Sequence, residues 1–348
     1  RQADRSRRVA YPAMNSRQLQ TPLDFWQPTA ISENEILVLK QGRAVRPTLT
    51  ILNRNGKEKK VARIGSQKEP HFHSAAQKIV WDEVRFDPRF QKRSYNVINV
   101  LDLTTGRRQQ LTKKTRLFAP TLSPDGNRVA AVNVSYENDF SIVELDSRTG
   151  EVLEEYPSPE NLILLMPRYN EGGNKLVMVA VKEGNAIFEL DLKGRAYTEV
   201  LPFQSQQISY PTYVNGAIVF KAHYNGLDNL FRLQEDKNLS QLTFAQYGAY
   251  NPSYDQFNQA ILFNNYESRG FDVAEVQPAA EDREILFENA FIDYAAPLRA
   301  QEAKDVFSEV PGKQFESTPY REIRNLFYFH RISQIVEENF YFGDYNVG

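Results

Sequence analysis

Apolar, strand-like segments recur six times in this chain, at intervals of 43 to 49 residues. Each segment ends in one large aliphatic residue, called here the anchor, and a polar residue follows it. The anchors are Leu52, Leu101, Leu145, Leu190, Leu233 and Val276. A Pro-x-apolar triplet recurs in step, and its prolines are Pro28, Pro70, Pro120, Pro167, Pro211 and Pro252. A repeat of roughly 40–45 residues built from short strands is typical of a β-propeller blade.

The third copy of the repeat shows the strands most clearly. Residues 119–122 form a short inner strand, and the Ser-Pro-Asp-Gly-Asn sequence at 123–127 has the composition of a tight turn. The apolar runs 128–134 and 140–146 follow, and 151–156 supplies an outer strand. Strands that are apolar on both sides are expected where each sheet is packed between two others. No 3.6-residue periodicity runs through the copies, which argues against a helical solenoid.

These patterns predict an all-β fold, a six-bladed β-propeller of four-stranded antiparallel blades over residues 24–290. Residues 1–23 are interpreted as an N-terminal linker or ring-closing segment. The outer edge of blade six has two candidate strands, residues 283–288 and residues 8–13. Residues 291–348 form an aromatic C-terminal extension, for which two interpretations stay open: it packs across the propeller rim, or it leads into a domain outside this chain. Within that extension, we expect a short helix in the segment 294–307.

Composition excludes several classes of function. The 348 residues include 42 basic and 44 acidic side chains, so no dense positive field favours nucleic acid. There is no cysteine, which removes disulfides, thiolate nucleophiles and cysteine-bound zinc. No apolar run reaches the ~18–20 residues of a membrane-spanning helix, and we expect none. Because the chain begins at Arg1 without a signal sequence, we interpret it as a piece of a longer protein.

Two segments resemble the repeat of TolB-like (WD40-like) propellers, in which a Leu-Thr strand end leads into a Pro-x-x-Ser-Pro-Asp-Gly hairpin. Residues 111–132 contain the full pattern, and residues 239–255 keep its Leu-Thr and proline. Residues 79–100 and 320–333 resemble parts of large bacterial envelope proteins that join a peptidase-like domain, a TolB-like propeller and an outer-membrane barrel. The resemblance implies a place in the Gram-negative envelope, either periplasmic or outer-membrane-associated.

The sequence offers no positive case for catalysis. A serine hydrolase elbow, Gly-x-Ser-x-Gly, is missing from the sequence. The His71-x-His73 pair has a spacing that can hold zinc, but a structural role is favoured because a third ligand is not evident. The acidic residues after three anchors are expected to accept hydrogen bonds from turn amides; they are Asp102, Asp146 and Asp191. We therefore expect no enzyme activity, no cofactor and no metal.

One connection in blade two is longer than its counterparts. From repeat proline to anchor takes 31 residues in blade two but 22 to 25 in the other five blades. The added residues lie within 82–94, where arginines alternate with aromatic residues, a composition enriched at protein interfaces. An alternative is that Asp87 pairs with a nearby arginine merely to shape the hairpin. With the neighbouring interblade link, the predicted partner-binding residues are Glu83, Arg85, Phe86, Asp87, Arg89, Phe90, Arg93, Leu117 and Phe118.

A second link, residues 158–166, contains the apolar run 162–166. If exposed it would mark a partner surface, and if buried it would be the start of blade four. The favoured hypothesis is a non-catalytic protein–protein interaction scaffold that binds envelope or outer-membrane components. Two alternatives stay open: an accessory propeller that gates substrate for an envelope peptidase, and a propeller that binds carbohydrate or another ligand in its axial channel.

Overall fold

The structure is a computed structural model, and it describes residues 8–16, 21–90, 92–224, 226–278, 283–284, 296–301, 316, 336–339 and 344–347. The chain divides into two compact units, Arg1–Phe291 and Ile292–Gly348. The first unit is an all-β, six-bladed propeller, which confirms the predicted fold class.

The first three blades each contain four antiparallel strands that pair in chain order. Blade one comprises β1 (Leu23–Ala30), β2 (Glu35–Gly42), β3 (Val45–Asn53) and β4 (Glu58–Arg63). Blade two comprises β5 (His73–Ala75), β6 (Lys78–Phe86), β7 (Ser94–Asp102) and β8 (Arg108–Gln110). Blade three comprises β9 (Phe118–Leu122), β10 (Arg128–Val134), β11 (Phe140–Asp146) and β12 (Val152–Pro157).

Blades four and five repeat this order, and blade six has three named strands. Blade four comprises β13 (Ile163–Tyr169), β14 (Lys175–Val181), β15 (Asn185–Asp191) and β16 (Ala196–Gln204). Blade five comprises β17 (Ser209–Val214), β18 (Ala217–Ala222), β19 (Asn229–Leu233) and β20 (Leu239–Gln241). Blade six comprises β21 (Ala249–Asp255), β22 (Ala260–Glu267) and β23 (Gly270–Val276).

Six separate apolar clusters hold the ring together, one at each interface between neighbouring blades. Successive residues of a strand point to opposite faces of the sheet. In blade three, Val129 and Ala131 therefore pack towards blade two, whereas Ala130 and Val132 pack towards blade four. This arrangement explains why the second strand of each blade is apolar along almost its whole length.

The six anchors occupy equivalent places, because each packs in the cluster between its own blade and the preceding one. Leu145 lies in the cluster of blades two and three, Leu190 in that of blades three and four, and Leu233 in that of blades four and five. Leu52 lies in the cluster that joins blade one to blade six and closes the ring. The predicted register is therefore correct.

The residue before the repeat proline adopts a left-handed backbone conformation in five blades. These residues are Gln27 (φ 51°), Ala119 (φ 49°), Met166 (φ 54°), Tyr210 (φ 54°) and Asn251 (φ 51°). The pairing between first and second strands shifts register at the same place in each of these blades. A bulge of this kind bends a strand and re-aims its side chains. The positive φ of a non-glycine residue costs roughly 1–3 kcal/mol, so the ring imposes this geometry repeatedly.

The N-terminal segment binds the free edge of blade six. The backbone N–H of Met14 donates to the carbonyl of Val273 at 2.8 Å, and the Val273 N–H donates to Asn15 Oδ1 at 2.7 Å. Residues 283–288 were one candidate for the outer strand of blade six. For Arg283–Glu284 this prediction is wrong, because these residues form β24, which pairs with β20 of blade five. Val273 already has its edge hydrogen bonds from the N-terminal segment. Residues 285–288 lie outside the described residues.

In the second unit the structure describes the helix α1 (Ala296–Gln301) and an antiparallel pair, β25 (Val336–Asn339) and β26 (Asp344–Val347). The helix lies within the segment predicted to be helical, and residues 302–307 of that segment are outside the described residues. The segment 320–333, which resembles envelope proteins, also lies outside them.

Candidate functional site

The two faces of the propeller carry different connections. The first face, called here the link face, carries the links between blades and the loops between each second and third strand. The opposite face, called the turn face, carries the other hairpin turns. The long blade-two loop ends the hairpin of β6 and β7, so it lies on the link face. Loops held by a rigid scaffold are the usual place for recognition.

The tip of the blade-two loop presents aromatic side chains to solvent. Phe86 is 61% exposed and Phe90 is 41% exposed. The Asp87 carboxylate shapes the tip, because it accepts hydrogen bonds from the backbone N–H groups of Arg89 (2.9 Å) and Phe90 (3.3 Å). The first of these bonds is the main reason that the pKa of Asp87 is lowered. The guanidinium of Arg89 lies over the Phe90 ring, 5.3 Å from its centroid.

Glu83 was predicted to contact a partner, and this prediction is wrong because the residue is fully buried. Its carboxylate accepts hydrogen bonds from Trp81 Nε1 (2.8 Å), the Gly65 N–H (2.9 Å), Arg85 (2.6 Å) and Arg108 (2.6 Å). Burial acts to raise the pKa of Glu83, but these donors outweigh it and the pKa is lowered. A Cβ at Gly65 would lie 2.7 Å from Glu83 Oε2, so the site also requires that glycine. Glu83 therefore stabilises blade two. Arg85 forms an ion pair with Glu83, although its side chain is partly exposed.

The interblade link before blade three also divides into interior and surface residues. Leu117 is buried in the cluster between blades two and three, so it offers no contact to a partner and leaves the predicted set. Phe118 is half-buried and lines a cavity on the link face. Arg116 lies over the ring of Tyr136, 5.3 Å from its centroid, and Tyr136 is 73% exposed. Arg93 is exposed beside the loop tip.

The apolar run 162–166 is the start of blade four. Leu162 and Leu164 are buried in the cluster between blades three and four. Ile163 points outwards and is 41% exposed. The run is therefore mainly a buried strand. Of the two interpretations given above, the structure favours the start of blade four over a partner surface.

Exposed aromatic side chains are concentrated on the link face. Among the residues whose surfaces the structure describes, six of the seven exposed aromatic side chains lie at its loops, links or strand ends: Phe86, Phe90, Tyr136, Phe203, Tyr247 and Tyr266. The seventh, Phe257, lies at a turn-face hairpin, and the exposed aliphatic residues Val152 and Leu153 lie on the outer strand β12. Aromatic residues with arginine neighbours are typical of protein-binding surfaces, so this asymmetry distinguishes the two faces.

A cavity opens on the link face near the propeller axis, with about 1120 Å³ of open space. Its lining includes Asp82, Arg116, Phe118, Leu165 and Tyr210. Burial raises the pKa of Asp82 to about 7, and the nearby charge of Glu83 acts in the same direction. A carboxyl group that titrates near neutral pH in a mostly apolar cavity was not apparent from the sequence, where Asp82 is one of many acidic residues.

The His71-x-His73 pair is engaged with neighbouring backbone rather than free for a metal. His71 Nε2 lies 3.0 Å from the carbonyl of Pro120, and His73 Nδ1 accepts a hydrogen bond from the N–H of Leu122 at 3.0 Å. Burial lowers the pKa of both imidazoles, that of His71 to about 3, so both are neutral. Within the described part of the chain, no group of three or more His, Asp or Glu side chains has metal-binding geometry.

The predicted set of partner-binding residues does not include two surface residues, Arg116, which lies in the interblade link 113–119 already expected to face a partner, and Tyr136. Tyr136 lies in the short loop between the second and third strands of blade three, next to the blade-two loop around the ring. An aromatic residue at the corresponding position of a neighbouring blade was the available signal. In the described residues, no helix is long and apolar enough to cross a bilayer.

No protein-family model matches the sequence, and no curated protein matches it. Solved structures do match. TolB from Acinetobacter baumannii superposes with a TM-score of 0.51 and 19% identity, over 68% of this chain and 61% of the TolB chain. The chain has the fold of a TolB-like propeller. It thus spans about three fifths of the length of that TolB chain.

The chain is also similar in fold to propellers of enzymes. An oligogalacturonate lyase in complex with manganese matches with a TM-score of 0.52 and 13% identity, over 74% of this chain and 78% of the lyase. A puromycin-hydrolyzing peptidase from Mycobacterium tuberculosis matches with a TM-score of 0.50 and 12% identity, over 79% of this chain and 46% of the peptidase. At these identities the likeness concerns the fold, so function has to be argued from the surface of this chain.

Proposed function

We propose that this TolB-like propeller is a non-catalytic interaction module of a bacterial envelope protein, and that it binds a protein partner through its link face. The observation that carries the proposal is the concentration of exposed aromatic residues on that face, centred on Phe86, Phe90 and Tyr136. Burying large aromatic side chains supplies most of the binding energy at typical interfaces.

The scaffold supports this role because the recognition residues stand on rigid elements. Phe86 ends strand β6, whose other residues are largely buried, and the Asp87 carboxylate fixes the following turn through two backbone hydrogen bonds. A preorganised surface loses little conformational entropy on binding. The place in the envelope, periplasmic or at the outer membrane, is proposed from the sequence resemblance.

Photo-crosslinking in the native organism tests the proposal. A benzophenone amino acid replaces Phe90 or Tyr136 on the link face, and Phe257 on the turn face serves as the matched control. We expect a specific protein adduct from Phe90 and Tyr136, recovered in the periplasmic or outer-membrane fraction and identified by mass spectrometry.

Two results would contradict the proposal. One is an adduct of equal yield from Phe257, and the other is recovery of the adduct in the cytoplasm. A double variant, Phe86→Ser with Phe90→Ser, provides a second test, since both side chains are exposed and the change should preserve the melting temperature. This variant should lose the adduct from Tyr136.

A further inference from the structure

The turn face has a separate cavity at the propeller axis, with about 1540 Å³ of open space. Inner-strand residues of all six blades line it. Arg168, from β13 of blade four, is one of them. Its Nη1 lies 3.5 Å from Nε2 of His71, which lines the cavity on the other face. The guanidinium therefore lies where the two axial cavities approach each other.

Arg168 has no carboxylate partner among the residues that the structure describes. His71 does not satisfy the guanidinium, because His71 Nε2 faces the carbonyl of Pro120 at 3.0 Å and must carry the proton of that bond. Of the residues that line the cavity, Glu171 is the acidic one, and it is exposed at the mouth. Burial lowers the pKa of Arg168 to about 10, which leaves it charged at neutral pH. Arg168 is half-buried, and an unpaired charge that is partly removed from water favours a counter-ion.

Other polar atoms on the inner strands also have unused hydrogen-bonding capacity. Gln27 Nε2 and Asn251 Oδ1 are buried without a partner at hydrogen-bond distance, Gln27 being close to the side chain of Tyr210, and both residues line the cavity. Gln27 is held in place through its Oε1, which accepts from the Phe72 N–H at 3.0 Å, and Asn251 through its Nδ2, which donates to Asn264 at 2.8 Å. The positions of Gln27 Nε2 and Asn251 Oδ1 are therefore defined by the hydrogen bonds at the other end of each amide. A buried polar atom without a partner normally has a bound water or ligand.

We propose that the turn-face cavity is a binding site for a small oxyanion-bearing ligand, a carboxylate or a phosphate, held by the guanidinium of Arg168. The planar guanidinium forms two parallel hydrogen bonds with such groups. Gln27 supplies a donor and Asn251 an acceptor for the remainder of the ligand. The site opens on the face opposite the proposed partner surface, so it does not rest on that proposal.

Isothermal titration calorimetry at constant ionic strength tests the site on the intact chain, with three probes. Inorganic phosphate tests a free phosphate, N-acetyl-alanine tests an organic carboxylate, and N-acetyl-alanine amide is the matched neutral compound. We expect phosphate or the carboxylate to bind and the amide to fail. Arg168→Gln should weaken binding by about tenfold or more, because it removes a charge-assisted pair of hydrogen bonds.

Arg195→Gln is the control, since Arg195 is an exposed arginine and its loss changes the net charge equally. It should leave the affinity within about twofold, as expected for a distant exposed charge. If Arg168→Gln fails to fold, Arg168→Lys keeps the charge but loses the planar fork, and it should still weaken the affinity. The proposal is overturned if neither anion binds, if the amide binds equally well, or if Arg195→Gln loses as much affinity as the Arg168 variant.

Discussion

At the scale of single residues, burial separates charged side chains that look alike in the sequence. Glu83 and Asp87 are four positions apart in one polar segment, yet Glu83 is enclosed by four donors and Asp87 is exposed at a loop tip. Buried carboxylates need hydrogen bonds or ion pairs, so Glu83 belongs to the framework of blade two. The segment therefore contains a structural half and an exposed half.

We predict that Glu83→Gln destabilises the propeller by about 3 kcal/mol, because it leaves Arg85 and Arg108 without their buried anionic partner. Unfolding in urea, followed by tryptophan fluorescence, measures the change. The control is Glu154→Gln, which removes an exposed partner of Arg195 and should cost less than about 1 kcal/mol. Equal effects of the two variants would show that Glu83 is not structural.

Asp82 predicts a pH dependence of opposite sign to that of an ordinary paired carboxylate. Its pKa is about 7 in the folded chain, against an ordinary value of 3.8 for an aspartate, so the folded state holds a proton that the unfolded state releases. This contribution to stability is present below about pH 4 and is lost as the pH rises through about 7. In the Asp82→Asn variant this decrease in stability with rising pH should be absent. Melting temperatures between pH 5 and 8 measure it, and parallel profiles for both proteins would refute the assignment.

At the scale of elements, the blade is defined by which neighbour each strand residue faces. Leu145 is 1% exposed and packs with residues of blade two as well as blade three. Its neighbour Asp146 shapes the next turn, because its Oδ1 accepts from the N–H groups of Arg148 and Thr149, both at 2.8 Å. The anchor and the polar residue after it therefore have different roles, one between blades and one within the turn.

Leu145→Ala is expected to cost about 2–5 kcal/mol, because it leaves a cavity in an interface that cannot collapse. Chemical unfolding measures the change. Leu153→Ala is a suitable control, since Leu153 is 46% exposed on the outer strand of the same blade and should change stability by less than about 0.5 kcal/mol. A small effect at Leu145 would contradict the blade register.

At the scale of the whole propeller, ring closure depends on contacts between distant parts of the chain. Leu23, Phe25 and Leu52 of blade one pack against Leu262 and Val273 of blade six in one cluster. The N-terminal segment then covers the edge of blade six. A closed ring shields the apolar faces of its first and last blades, which would otherwise be exposed to water.

Asn15→Ala should lower the stability of the whole propeller by about 1–3 kcal/mol. It removes the acceptor of the Val273 N–H and the donor to Asp272, and it leaves a buried amide without a partner. Differential scanning calorimetry measures the effect as a lower melting temperature. Ser16→Ala, at an exposed neighbouring position with a 3.4 Å contact to Gly56, should change little. An unchanged melting temperature in Asn15→Ala would show that the segment does not help to close the ring.

The sequence by itself determined the blade number, the strand order within each blade and the turns after the anchors. These features repeat every few tens of residues and arise from strand alternation and local hydrogen bonds, so they can be read without knowing distant contacts. Only the tertiary structure decided that Glu83 and Leu117 are interior, that the N-terminal segment covers blade six, and that Arg168 lines an axial cavity with no carboxylate partner among the described residues. Each of these outcomes depends on residues far apart in the chain, whose approach is set by how the blades pack around the axis.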